Sequence, residues 1–202
     1  MATQLFLRDT KDSGIGVYRY LQTTRGPGVV TGVVNTVASG TDIQWTKTAG
    51  GEALEFISPP LSAGFTLSGS MTFNIWALES AMAANCGGRA RVYKYSGGVE
   101  TLILGGPHDD GVEFGTGDGV FNWTGTPTAT VFAAGDRLIV KYYITNVGTM
   151  GGGETCTLNY AGVTAGASGD TYWTINENVT FGPDPGWGLL LNHSRNNVVV
   201  AL

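Results

Sequence analysis

Six consecutive residues, His108-Asp109-Asp110-Gly111-Val112-Glu113, with Asp118 nearby, form the densest group of candidate ligands in the chain. Carboxylates on a glycine-rich loop are hard oxygen donors suited to Ca²⁺, which takes about six to eight of them. The spacing departs from an EF-hand loop, because glycine follows the second aspartate directly. A solvated turn is the simpler reading. No metal ligand is assigned, and a chelator is expected to leave the melting temperature unchanged.

Nucleophilic catalysis requires a base beside a nucleophile. The chain has 2 histidines, and His193 stands in an asparagine-rich tail. No Gly-x-Ser-x-Gly elbow occurs, and neither Cys86 nor Cys156 sits in a catalytic context. Carboxylate pairs of the glycosidase kind escape this test, since their partners are distant in sequence. The chain therefore reads as non-enzymatic, with no catalytic, cofactor-binding or metal residue. The two cysteines read as free thiols, with Cys156 in the core; a disulfide is the alternative. The sequons at Asn122, Asn178 and Asn192 read as chance matches. Aromatic residues offer a second kind of chemistry. Trp45, Trp76, Trp123, Trp173 and Trp187, with Tyr93, Tyr95 and Tyr143, contain the makings of a sugar-stacking platform. Most of them read as core edge or interface residues, so a glycan is an open partner rather than an assigned one.

These side chains must be positioned by strands. In residues 64–76, Phe65, Leu67, Met71, Phe73 and Ile75 share one parity, and Thr66, Ser68, Ser70, Thr72 and Asn74 share the other. A period of two predicts one long strand with a buried and a wetted face. Further strands are expected at 43–45, 53–57, 89–95, 99–104, 120–123, 129–132, 137–144, 154–160, 171–175 and 179–181. A helical turn is expected over 78–85. Ser96-Gly97-Gly98 and Ala133-Ala134-Gly135-Asp136 mark tight turns. Many strands with glycine-rich connections predict an all-β, antiparallel β-sandwich of jelly-roll type. Residues 1–40 break their apolar alternation and carry Gly26-Pro27-Gly28. With short strands at 4–8 and 16–21, they are expected to form an extended N-terminal arm across the domain or onto a neighbour, a flexible tail being the alternative. That leaves 41–202 as the sandwich domain that folds without them.

Composition narrows the partners. The net charge is −5, with only 11 scattered basic residues, which argues against nucleic acid. Only 13% of residues are charged, as in shells and fibres that meet neighbours over broad areas. No run approaches the roughly 18 apolar residues of a membrane span, and the first residues do not form a Sec-type signal.

Several segments resemble virion structural proteins of tailed bacteriophages. They are Leu5-Phe6-Leu7-Arg8-Asp9-Thr10, Tyr20 to Gly26, Leu67 to Ser80, Ala133 to Leu138, and Leu158 to Gly162 with Ala167 to Asp170. The resemblance implies a jelly-roll capsid decoration (cement) protein on the virion surface. Such a protein would be assembled in the host cytoplasm, bind the major capsid protein and form a homotrimer. A tail or fibre component, or a carbohydrate-binding module recognising a host glycan, is the alternative. No binding residue transfers with the resemblance.

Overall fold

The computed structural model describes residues 2–12, 14–38, 42–48, 50–105 and 111–183. Among them the chain is all-β, with one 3₁₀ turn at Met82–Ala84 and no α-helix. The strands are β1 (Thr3–Lys11), β2 (Arg19–Gln22), β3 (Val30–Asn35), β4 (Ile43–Gln44), β5 (Glu55–Ile57), β6 (Phe65–Leu67) and β7 (Met71–Glu79). They continue as β8 (Cys86–Ser96), β9 (Val99–Leu104), β10 (Gly119–Gly125), β11 (Thr130–Phe132), β12 (Arg137–Asn146), β13 (Thr155–Tyr160) and β14 (Tyr172–Ile175).

One sheet runs β3-β13-β7-β14-β1-β2-β5-β12-β8-β9, with β10 added to β7 and β4 to β12; β6 and β11 pair separately. The sheet is mixed, not purely antiparallel, because β2 lies parallel to β5. The β1–β2 hairpin fills the gap between β14 and β5, and β2 reaches β5 running in the same direction. The sheet curls so that its two ends face each other. Phe73 of β7 meets Tyr142 of β12 edge-on at 6.3 Å, and Gly88 of β8 lies under Ile75 and Trp123.

The central strand keeps its expected period, with Met71, Phe73, Ile75, Ala77 and Glu79 buried and the intervening residues half-exposed. It does not extend back to Phe65. At the glycine in the pattern the chain leaves the ladder, and the amides of Ser68 and Gly69 donate to Glu177 Oε1 at 2.8 and 2.6 Å. The helical turn shrinks to Met82–Ala84, because β7 continues through Glu79. Ser96-Gly97-Gly98 forms the expected hairpin. Its two glycines have φ of +58° and +87°, the left-handed values that a tight two-residue turn requires.

Residues 1–40 are not an arm. They supply β1, β2 and β3, and β1 lies in the middle of the sheet between β14 and β2. Leu5, Leu7 and Leu21 are fully buried. The broken alternation has a physical cause, since both faces of β1 are covered: Leu5 and Leu7 enter the core, while Phe6 packs outside against Tyr172. The strands of residues 1–40 and those after residue 41 therefore share one sheet and one core.

Candidate functional site

Only part of the acidic loop falls among the described residues. His108, Asp109 and Asp110 lie outside them, as does His193. Glu113 turns inward toward Glu79. Asp118 instead accepts from Asn159 Nδ2 at 3.0 Å on the outer surface.

The aromatic platform is also dispersed. Trp45, Trp123 and Trp173 are core residues, and Trp187 lies outside the described set. Tyr143 is buried, while Tyr93 and Tyr95 pack around Tyr18, Ile57 and Ile139 in a small second cluster. Among the described members of this set, Trp76 opens into a cleft on the outer face of β7, β10 and β14, about 360 Å³ in volume.

The cleft is built by pairing. Asn122 of β10 stands opposite Asn74 of β7, and Tyr172 of β14 stands opposite Asn74 on the other side. Asn74 Nδ2 donates to Asn122 Oδ1 at 2.7 Å, while the buried Asn74 Oδ1 has no partner. On the second edge of β7, β13 ends and β14 begins. Thr171 joins them there: its Oγ1 accepts from Trp76 N at 3.0 Å and donates to Asn159 O at 2.6 Å. One wall is Arg25, whose Nε and Nη2 donate to the two oxygens of Asp170 at 2.9 and 3.4 Å. The Arg25 guanidinium also lies over the Phe6 ring at 4.5 Å. Gly26 fixes this arginine, because a Cβ there would meet the Ala161 carbonyl oxygen at 2.0 Å.

With its one guanidinium paired to a carboxylate, the cleft offers aromatic surface and amide groups without net charge. That chemistry suits an uncharged ligand with an apolar part and hydrogen-bonding groups. Trp76, like Tyr93, Tyr95 and Tyr143, stands on the parity opposite the apolar residues of its strand. That rule fails for buried Tyr143, and it also places Tyr172 outward beside inward Trp173. Arg25 and Asp170 are 145 residues apart and left no signal.

A second group lies in the core. Cys86 and Cys156 form a disulfide rather than remaining free thiols. Glu79, only 1% exposed, lies beside it, with Oε2 accepting from Cys86 N at 3.3 Å and 3.4 Å from Cys86 Sγ. Burial pushes the Glu79 carboxyl up to about 7, and the neighbouring Glu113 adds to the rise. Here the folded protein holds a proton that the unfolded chain releases near its ordinary value of 4.5. Stability must therefore fall as pH rises from about 4.5 to about 7 and level off above that. Glu79→Gln should flatten this slope in denaturant titrations at several pH values. An unchanged slope would assign the proton elsewhere.

No known protein-family profile matches the chain, and no curated protein does. Solved structures do match its fold. One is a CocE/NonD family hydrolase from Staphylococcus aureus, with a TM-score of 0.56, 11% identity, and coverage of 89% of this chain but 36% of that one. Another is an α-amino acid ester hydrolase, with a TM-score of 0.56, 10% identity, and coverage of 88% and 36%. A third is an aminopeptidase from a marine sediment Thaumarchaeota archaeon, with a TM-score of 0.56, 11% identity, and coverage of 89% and 37%. At such identities the likeness shows the fold, and this chain spans little more than a third of the hydrolases it matches. It nevertheless overturns the expectation of a non-enzymatic phage capsid decoration or tail component. Nearly the whole chain follows a fold found within hydrolases.

Proposed function

We propose that the chain is a jelly-roll β-sandwich that takes part in ester or amide hydrolysis, with the Trp76–Tyr172 cleft receiving an uncharged portion of the substrate. The observation that carries this reading is the match itself: 87–89% of this chain follows 36–37% of several hydrolases. The sandwich reading is supported by the two ends of the sheet facing across one core. Along its path only β1–β2 and β8–β9 are neighbours in sequence, the wide connectivity that jelly rolls use. The cleft supports the substrate role through its paired charges, its amides and its half-exposed aromatic rings.

The test is an assay of the natively purified protein, with the polypeptides that accompany it, against chromogenic esters and amino-acid anilides. Turnover is expected, together with labelling of the preparation by a fluorophosphonate probe. Trp76→Ala removes an aromatic contact worth about 0.5–1.5 kcal/mol, which corresponds to a KM raised by about two- to tenfold with kcat retained. No turnover and no labelling would overturn the hydrolytic reading. Turnover that is indifferent to Trp76→Ala would overturn the role of the cleft alone.

A further inference from the structure

The centre formed by Glu79, Cys86 and Cys156 contains more donor capacity than the oxidised protein uses. One ligand atom from each of the three lies within 4.8 Å of the others, and all three residues are buried. The carboxyls of Glu79 and the half-buried Glu113 face each other, and Oε1 of each meets no other hydrogen-bonding group. A carboxylate taken this far out of water normally meets a donor or a cation. Beyond the facing carboxyl of Glu113, Glu79 has only a weak backbone contact on Oε2. The Cα atoms of Cys86 and Cys156 stand 7.3 Å apart, beyond the roughly 4.4–6.8 Å that disulfides usually span. The backbone therefore already leaves room for the sulfurs to separate.

We infer that in its dithiol form this centre binds Zn²⁺ through Cys86 Sγ, Cys156 Sγ and the Glu79 carboxylate, with a water in the fourth position held by Glu113. Two thiolates and a carboxylate are a donor set that favours this borderline-soft ion over Ca²⁺ or Mg²⁺. Zn–S bonds of about 2.3 Å in a tetrahedron place the two sulfurs roughly 3.8 Å apart, which the wide Cα spacing accommodates. The redox step balances with a dithiol reductant. Its two electrons and two protons pass to the disulfide, the S–S bond breaks, two thiols form, and the reductant leaves as its own disulfide. Zn²⁺ then displaces both thiol protons, which pass to solvent, and the Glu79 carboxylate completes the protein ligands. The oxidised centre cannot bind the metal, because its sulfurs carry no thiolate. The disulfide and the metal are thus alternative closures of β8 on β13, and the metal adds β7, where Glu79 lies opposite Cys156.

The full chain, reduced with a water-soluble phosphine under nitrogen, is titrated with Co²⁺ as a spectroscopic probe and then with Zn²⁺. One equivalent of Co²⁺ should bind the reduced protein with a thiolate charge-transfer band, Zn²⁺ should displace it, and the oxidised protein should show neither effect. Zn²⁺ should also raise the melting temperature of the reduced protein. Glu79→Gln, which keeps size and shape, should weaken Co²⁺ at least tenfold while retaining the thiolate band. Cys86→Ser should abolish the band. The proposal is overturned if the reduced protein takes up no stoichiometric Co²⁺. Equal binding by the oxidised protein or by Cys86→Ser would also overturn it, and so would full affinity in Glu79→Gln.

Discussion

A polypeptide comprising only residues 41–202 is expected not to fold. Removing residues 1–40 deletes β1, β2 and β3, and with them the strands that join β14 to β5. The sheet is then cut into two pieces whose new edges, β14 and β5, carry unpaired backbone groups. The core loses Leu5, Leu7 and Leu21, all fully buried. At about 1.5–3 kcal/mol for each buried leucine, that loss alone is roughly 5–9 kcal/mol. It is comparable to the whole stability of an ordinary domain, about 5–15 kcal/mol. Charged groups add to the damage. Arg137, buried on β12, donates through Nη2 to Asp12 Oδ2 at 2.5 Å and through Nε to Ser58 O at 2.7 Å. Without Asp12 that guanidinium remains buried with no counter-charge, a loss worth about 3–5 kcal/mol in comparable buried pairs. The far side suffers likewise, since Lys47 and Tyr160 both contact Asp9 at 2.8 Å. Near-ultraviolet circular dichroism and a thermal scan decide the matter. The truncated chain should show no fixed aromatic signal and no cooperative transition. A sharp melt near that of the intact protein would restore the arm and remove the single-sheet account.

How far the sequence carried differs between the core and the site, for a physical reason. Alternation along β7 and the glycine pair after Ser96 were legible because a strand's period and a tight turn's φ values are local properties. The break at Gly69 was not, since the carboxylate that holds it comes from Glu177, 108 residues away. The first strand misled because Phe6 is covered as well as Leu5 and Leu7, and burial on both faces erases alternation. The disulfide was hidden by a separation of 70 residues. The cleft draws on β7, β10, β14 and two loops, so no single stretch could announce it. The phage-like segments fall largely on β1, β2, β7, β13 and the turn before β12, which are elements that build the sheet. The all-β expectation came from strand alternation and glycine-rich turns, not from these segments.

Truncating Phe73 to alanine should be among the most damaging single substitutions in the chain. Its ring is fully buried on β7 and stacks between Trp123 at 5.5 Å and Trp173 at 6.2 Å, with Tyr142 edge-on at 6.3 Å. These contacts come from β10, β14 and β12, so the one side chain ties the two ends of the sheet together. Three large rings around the vacated space cannot collapse into it without leaving their rotamers. The expected loss is about 3–5 kcal/mol, at the upper end for a cavity with rigid walls. Thr72, one residue earlier, points outward between Thr124 and Thr174 on the neighbouring strands. Its replacement by alanine removes only cross-strand contacts, worth about 0.2–1 kcal/mol. Urea titrations of the two variants should therefore differ several-fold in destabilisation with the same m value, since the exposed area on unfolding hardly changes. Equal losses from the two would mean that the faces of β7 are assigned the wrong way round. With them would go the outward position of Trp76, which shares Thr72's parity, and the cleft that depends on it.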